Sequence, residues 1–169
     1  MATPDGRART GQGRADVAPG QPRVRMPSTF TAFCLLHHRD YLRYCRARLP
    51  TGCPAEPVVE GALGDLATQW PAVLSSPRVE AAAWSVLRGH VARAAARRPC
   101  RGGANGDLLH RLLPAPEADA VVLCRRLSLD RARAAELMGI SPWEATCRLL
   151  RAERALPPDV LRRLPRAGA

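Results

Sequence analysis

Apolar positions recur every three or four residues along most of this chain, which is the period of an α-helix rather than of a strand. In the first half, this pattern predicts three helices, over about 28–49, 55–70 and 76–98. Ser28 is expected to cap the first of them, and a Pro-Thr-Gly sequence at 50–52 ends it. The predicted inner faces of the three helices are formed by Phe30, Phe33, His37, Tyr41 and Tyr44, then Val59, Ala62, Leu66 and Trp70, then Val79, Ala83, Val86, Leu87, His90 and Ala94.

The second half follows a glycine-rich break and begins with two short predicted helices, at about 108–113 and 116–127. Two helices with clearer end signals come next. The first covers about 129–138 and is expected to be capped by Ser128, with Asp130 near its positive end and Gly139 after its last residue. The second starts at the capping-box sequence Ser-Pro-Trp-Glu of 141–144 and ends before Pro157. Its inner stripe is Ala145, Leu149, Ala152 and Leu156.

The composition agrees with an all-α protein. Ala, Leu and Arg are abundant, and Ile occurs once. Leu, Ile, Val and Phe contribute only 35 of 169 residues, so small alanine side chains must fill much of the core. All 26 basic residues are Arg, and with 15 acids they give a formal net charge of +11. Such an excess suits an anionic partner such as nucleic acid, although single arginines are equally expected simply to solvate helix faces.

Several classes of function receive no support from the residues. No apolar run approaches the ~18 residues of a membrane span, and no secretory signal is visible at the start. The six cysteines show neither a CxxC spacing nor a paired Cys/His zinc signature, so no metal or cofactor is expected. The four histidines lack the partners that catalysis needs, and no enzyme activity is predicted. A cytoplasmic location is expected.

Five segments are predicted along the chain. Residues 1–27 should form a disordered tail with five arginines, and 158–169 a C-terminal tail. Residues 28–99 and 108–157 should form two small helical domains. The linker 100–107 joins them, and the stretch 73–113 around it carries a local charge of +5.

The last two predicted helices of the second domain match a helix-turn-helix. They are joined through the three residues 139–141, which contain the glycine expected at such a turn. In a helix-turn-helix, the second helix enters the major groove of DNA. An ordinary helical hairpin with no DNA-binding role is the alternative.

Several segments taken in order resemble a known family. The segment 127–156, LSLDRARAAELMGISPWEATCRLLRAERAL, and the preceding EADAVVLCRRL resemble region 4 of the sigma-70 family of RNA polymerase sigma factors, especially its small extracytoplasmic-function members. Three upstream segments, FTAFCLLHHRDYLRYCRARL, AEPVVEGALGDLATQW and VEAAAWSVLRGHVARAAARR, are similar to region 2. The resemblance spans about 30–156.

The resemblance implies a bacterial, nucleoid-associated protein that binds core RNA polymerase and promoter DNA. Region 2 would bind the polymerase and melt the −10 element, and region 4 would read the −35 element. The implied polymerase contacts are Glu56, Val59, Glu60, Leu63 and Asp65. The implied DNA contacts are Trp84, Arg88 and Arg93 on the −10 side, Thr146, Arg148 and Arg151 on the −35 side, and Arg154 on phosphate. Core packing is the alternative role for Trp84.

The chain also departs from the family pattern, which keeps a second function open. Pro57, Gly61, Ala94, Thr146 and Glu153 stand where the family usually has other residues. The alternative is a helix-turn-helix regulator, or a protein-binding adaptor, without working sigma activity.

The last predicted helix has apolar residues on both faces, which is typical of a helix buried on both sides. Its outer apolar residues are Trp143, Cys147 and Leu150. We therefore expect this face to pack against protein, either the first domain or a partner such as an anti-sigma factor. A lone exposed Leu150, with Trp143 folded back on its own domain, is the alternative.

Overall fold

The computed structural model describes residues 26–97 and 108–164. All but two residues of the predicted tail 1–27, together with the whole linker 100–107 and the end of the chain from 165, lie outside the described residues. Every regular element within these ranges is helical, as the sequence predicted. The helices are α1 (Ser28–Arg48), α2 (Glu56–Thr68), α3 (Trp70–Leu74), α4 (Val79–Arg97), α5 (Leu108–Leu112), α6 (Ala115–Val121, continued by a π-helical turn Val122–Arg126), α7 (Arg131–Met138), α8 (Pro142–Ala155) and α9 (Pro158–Arg163).

Helix α9 corrects the prediction that 158–169 is a tail. Pro158 occupies the first helical position, and Asp159 lies in the first turn, where its charge suits the helix dipole. Val160 and Leu161 pack against the core and hold this short helix in place. The sequence Pro157-Pro158 predicts only the end of the preceding helix, although the second proline also suits a first helical position.

Two predicted helix starts also need correction. Ser128 does not cap α7, because its backbone has a positive φ of 53°. Asp130 caps the helix instead, since its carboxylate accepts a 2.8 Å hydrogen bond from the backbone N–H of Arg133. Ser28 is the first residue of α1 rather than its cap, which is Pro27.

Aromatic side chains of α1, α3 and α4 form the centre of the first half. Trp84 lies with its ring centroid 4.6 Å from that of Tyr44, and Phe30 packs edge-on against Trp70 at 5.0 Å. The hydrophobic cluster is continuous from these residues into the second half, where it includes Leu123 and Leu137. The described parts of the two predicted domains are therefore packed against each other.

Candidate nucleic-acid interface

Helices α7 and α8 are joined by a short turn at the predicted residues, and they pack against each other. Gly139 ends α7 in the left-handed region, with φ 63°, a conformation that favours glycine. Ser141 then caps α8 by accepting a 3.1 Å hydrogen bond from the backbone N–H of Glu144. The turn rests on α4, because a Cβ built at Gly139 would lie 2.1 Å from the backbone nitrogen of Ala81. Glycine is therefore required here both by conformation and by the close approach of α4.

The outer face of α8 is open to solvent. Its inner residues Ala145, Leu149 and Ala152 are buried against α6 and α7. On the opposite side, Trp143 is 75% exposed and Leu150 is 45% exposed. Cys147 between them is half-buried, so the described residues of the first half do not cover this face. Of the predicted alternatives, packing on the described first half does not occur, and Trp143 is not folded back on its own domain because it is largely exposed. A partner protein stays a prediction.

The predicted −35 contacts on α8 differ in their availability. Thr146 donates its hydroxyl proton to the carbonyl oxygen of Pro142 at 2.9 Å, and Arg148 is paired with Glu144 at 2.6 Å. Arg151 and Arg154 are exposed, and none of the ion pairs among the described residues involves them. These two guanidinium groups are the cations that α8 offers to solvent.

Two of the three predicted −10 contacts point inward. Trp84 is only 4% exposed, because it packs between α1 and α4 against Tyr44 and Tyr41, so the structure assigns it to the core. Arg88 directs its Nε to within 2.8 Å of an oxygen of Asp119, which places it at the contact between the halves rather than on a DNA-facing surface. Arg93 is exposed near the end of α4.

Asp119 on α6 is a buried carboxylate that joins the two halves. One oxygen accepts hydrogen bonds from the hydroxyl of Tyr44, at 2.5 Å, and from Nε2 of His110, at 2.7 Å. The other oxygen forms an ion pair with the guanidinium group of Arg88, but the geometry of this contact is not that of a hydrogen bond. Burial, reinforced by the Asp119 carboxylate, raises the pKa of Tyr44 well above its usual value. The neutral phenol therefore stays a donor to Asp119.

Backbone carbonyls of one half accept hydrogen bonds from arginines of the other. Arg43 donates to the carbonyl of Leu127 at 2.6 Å, and Arg126 donates to that of Ala47 at 2.9 Å. Arg133 bonds the carboxylate of Asp40 at 2.9 Å and the carbonyl of Leu36. Arginines that the composition suggested for solvent or phosphate thus hold the halves together.

Sequence reasoning missed this set of contacts. The available signal was Asp119 itself, the single acid within the otherwise apolar run 118–124. An acid at an inward position needs a partner, but its partners lie on α1, α4 and α5 and have no fixed spacing from it in the sequence.

The predicted polymerase contacts on α2 are split between surface and core. Val59 is fully buried and cannot touch a partner, since the same helical stripe that predicted it as an inner residue faces the core. Glu60 is exposed and Leu63 is half-buried. Glu56 is exposed and pairs with Arg46 at 2.5 Å, and the hydrogen bond from Arg46 lowers its pKa.

Asp65, the fifth of these residues, is exposed and pairs with Nε2 of His90 on α4 at 2.7 Å. The absent side chain of Gly61 makes room for this pair, because a Cβ there would lie 3.2 Å from the His90 ring. A larger residue at position 61 would therefore crowd this pair.

No protein-family model matches the chain, and no curated protein or solved structure matches it either. Within residues 26–97 and 108–164, no group of three His, Cys, Asp or Glu side chains is placed to hold a metal ion. No helix in those ranges is long and apolar enough to cross a membrane.

Proposed function

We propose that this chain is a sigma-like transcription initiation factor that binds core RNA polymerase through its first half and promoter DNA through α8. The observation that carries the proposal is the open outer face of α8, the second helix of the candidate helix-turn-helix, which exposes Arg151 and Arg154. Arg151 and Arg154 would contact phosphate there, with Arg148 available once it leaves Glu144. Glu60, Asp65 and Leu63 would form the polymerase-binding surface on α2.

The closed packing of the two halves bears on how such a factor would work. Elements centred at −10 and −35 are 25 base pairs apart, which is about 85 Å along B-form DNA. A turn of α7–α8 in contact with Ala81 of α4 keeps the two candidate DNA-binding parts far closer than that. Initiation at both elements would therefore require the halves to separate on the polymerase.

The same packing favours a second candidate function. A protein that stays closed would contact DNA only through α8 and would act as a helix-turn-helix regulator without sigma activity. The buried Asp119 contacts support this alternative, because opening would expose or break them.

Co-purification with core RNA polymerase, followed by run-off transcription on a promoter library, distinguishes the candidates. A sigma-like factor co-purifies and supports transcription. A regulator binds selected DNA sequences without the polymerase, and an adaptor binds the polymerase without reading DNA.

A double charge reversal tests the surface on α2. Glu60→Arg with Asp65→Arg should abolish co-purification, whereas either change alone should be mild because exposed ion pairs are individually weak. Asp159→Arg on the exposed surface of α9 is the control for the added charge. Unchanged polymerase binding by the folded double variant would remove α2 from the proposal.

A further inference from the structure

Trp143 is exposed in a chain that buries its other two tryptophans. Its exposed fraction is 75%, whereas Trp70 and Trp84 are 2% and 4% exposed. An indole offers a large apolar surface that is normally buried in the core or at an interface. The position of Trp143, second in α8, lies in the helical turn that a helix-turn-helix presents to base edges.

The polar side chains near Trp143 in α8 are already engaged within the helix. Glu144 and Arg148 pair with each other, and Thr146 donates its hydroxyl to the backbone of Pro142. The usual side-chain readers of base edges are therefore committed in the first two turns. Trp143 is the large exposed side chain that remains there.

The surroundings of Trp143 are polar and charged rather than apolar. Trp143 borders an open groove of about 500 Å³ between α8 and the start of α6, which is lined by two arginines and two glutamates, Arg148, Arg151, Glu117 and Glu144. Arg148 pairs with Glu144, whereas Arg151 is exposed. Arg154 is exposed one turn beyond Arg151. Leu150 lies seven residues from Trp143, about 10 Å along the helix, and half-buried Cys147 lies between them, so the exposed apolar area is a narrow stripe. A stable protein interface buries about 800 Å² on each side, whereas one fully exposed aromatic side chain supplies at most about 250 Å².

We propose that Trp143 is a sequence-reading residue that places its indole against the C5-methyl group of a thymine in the major groove. The methyl group is the apolar feature that distinguishes thymine there, and it is recognised by apolar contact. Arg151 and Arg154 hold the phosphates on either side and fix the position of α8. This proposal rests on the DNA-binding part of the proposed function, and it applies equally to a sigma-like factor and to a regulator.

The test is a thymine-to-deoxyuracil scan, which removes one methyl group at a time from DNA selected by the full-length protein. Losing a buried methyl weakens binding about fourfold, so the wild-type protein should show this loss at one thymine. Trp143→Ala should bind the selected DNA roughly tenfold more weakly and should lose the sensitivity to deoxyuracil at that position. Trp143→Phe should keep the sensitivity, because it keeps an aromatic apolar surface.

Leu150→Ala is the matched control, since it removes another exposed apolar side chain from α8. It should leave the response to deoxyuracil unchanged. Wild-type tryptophan fluorescence should also change on DNA binding, and Trp143→Ala should remove this change because Trp70 and Trp84 are buried. Helix content measured by circular dichroism checks that each variant is folded.

Three outcomes would overturn the proposal, and they differ in what else they overturn. If Trp143→Ala binds the selected DNA as tightly as wild type and keeps the deoxyuracil response, Trp143 does not read thymine, while DNA binding by α8 stands. If Trp143→Ala or Trp143→Gln binds DNA more tightly, the indole hinders DNA binding and does not read thymine. If the wild-type protein selects no DNA sequence at all, the proposed DNA-binding function fails together with the inference.

Discussion

Removing the carboxylate of Asp119 should destabilise the protein more than removing any exposed acid. Asp119 is 1% exposed and receives the Tyr44 hydroxyl, Nε2 of His110 and the guanidinium of Arg88. In Asp119→Ala, the phenol of Tyr44 stays buried without its acceptor, and Arg88 and His110 lose their partner.

The magnitude follows from the burial of each group. Breaking a buried ion pair by deleting one partner typically costs about 3–5 kcal/mol. Arg88 has 34% of its side chain exposed and can turn toward water, which places the expected loss near the lower end, at about 3 kcal/mol. Asp65→Ala breaks an exposed pair with His90 and should cost about 0–1 kcal/mol. The difference is a large part of the roughly 5–15 kcal/mol that stabilises a typical domain.

Urea unfolding of Asp119→Ala, Asp65→Ala and the wild type gives their free energies of unfolding. The comparison holds provided that the dependence of this free energy on urea concentration is the same in all three. Tyr44→Phe should show a smaller loss of about 1–3 kcal/mol, because it removes one donor and leaves Arg88 in place. If Asp119→Ala loses no more stability than Asp65→Ala, the Asp119 contacts contribute little. These contacts would then not be what holds the two halves together.

Further predictions concern pH and glycine. Burial lowers the pKa of His37 below its usual 6.5. As the pH falls through 6.5, the unfolded chain therefore binds a proton at this histidine while the folded chain does not, so the free energy of unfolding should decline. His37→Phe should flatten that decline in urea midpoints measured from pH 7.5 to 5, and the exposed His38→Phe should not. Gly139→Ala should cost more than the ~1–2 kcal/mol of left-handed backbone strain alone, since its Cβ would overlap Ala81. A Cβ at Gly64 in α2 would meet open space, so Gly64→Ala should stabilise the protein by up to about 1 kcal/mol. Thermal unfolding of Gly139→Ala and Gly64→Ala should therefore show shifts of opposite sign relative to the wild type.

The helices could be predicted from the sequence because their signals are local. The apolar period fixes the inner faces of α1, α2 and α8, and the turn at Gly139 needs only its own neighbours to be recognised. Errors occurred at helix ends, where two candidate caps compete. Ser128 and Asp130 are both good caps by type, and only the backbone conformation at Ser128 decides between them.

The candidate site was harder to predict, because exposure depends on contacts between distant segments. The resemblance implies that Val59 and Trp84 lie at interfaces, but both side chains are buried. For Val59, the helical period alone already predicts an inner position. Arg88 is a different case. Its sequence neighbourhood does not reveal that Asp119, thirty-one residues later, lies 2.8 Å from it. The helical period predicts which residues form the outer face of α8, but whether another segment or a partner covers that face cannot be inferred from one helix.

Arg88 connects the stability of the closed arrangement to the choice between the two proposed functions. If the first half contacts promoter DNA as the resemblance implies, Arg88 must leave Asp119 to reach a phosphate, and the carboxylate must then be exposed or protonated. Binding of polymerase and DNA would have to supply at least the free energy that is lost when Arg88 leaves Asp119. A regulator that uses only α8 has no such requirement, because Arg151 and Arg154 are already exposed while Asp119 keeps its partners. A variant that weakens the Asp119 contacts should therefore favour polymerase-dependent transcription in a sigma-like factor, but should leave DNA binding by a regulator unchanged.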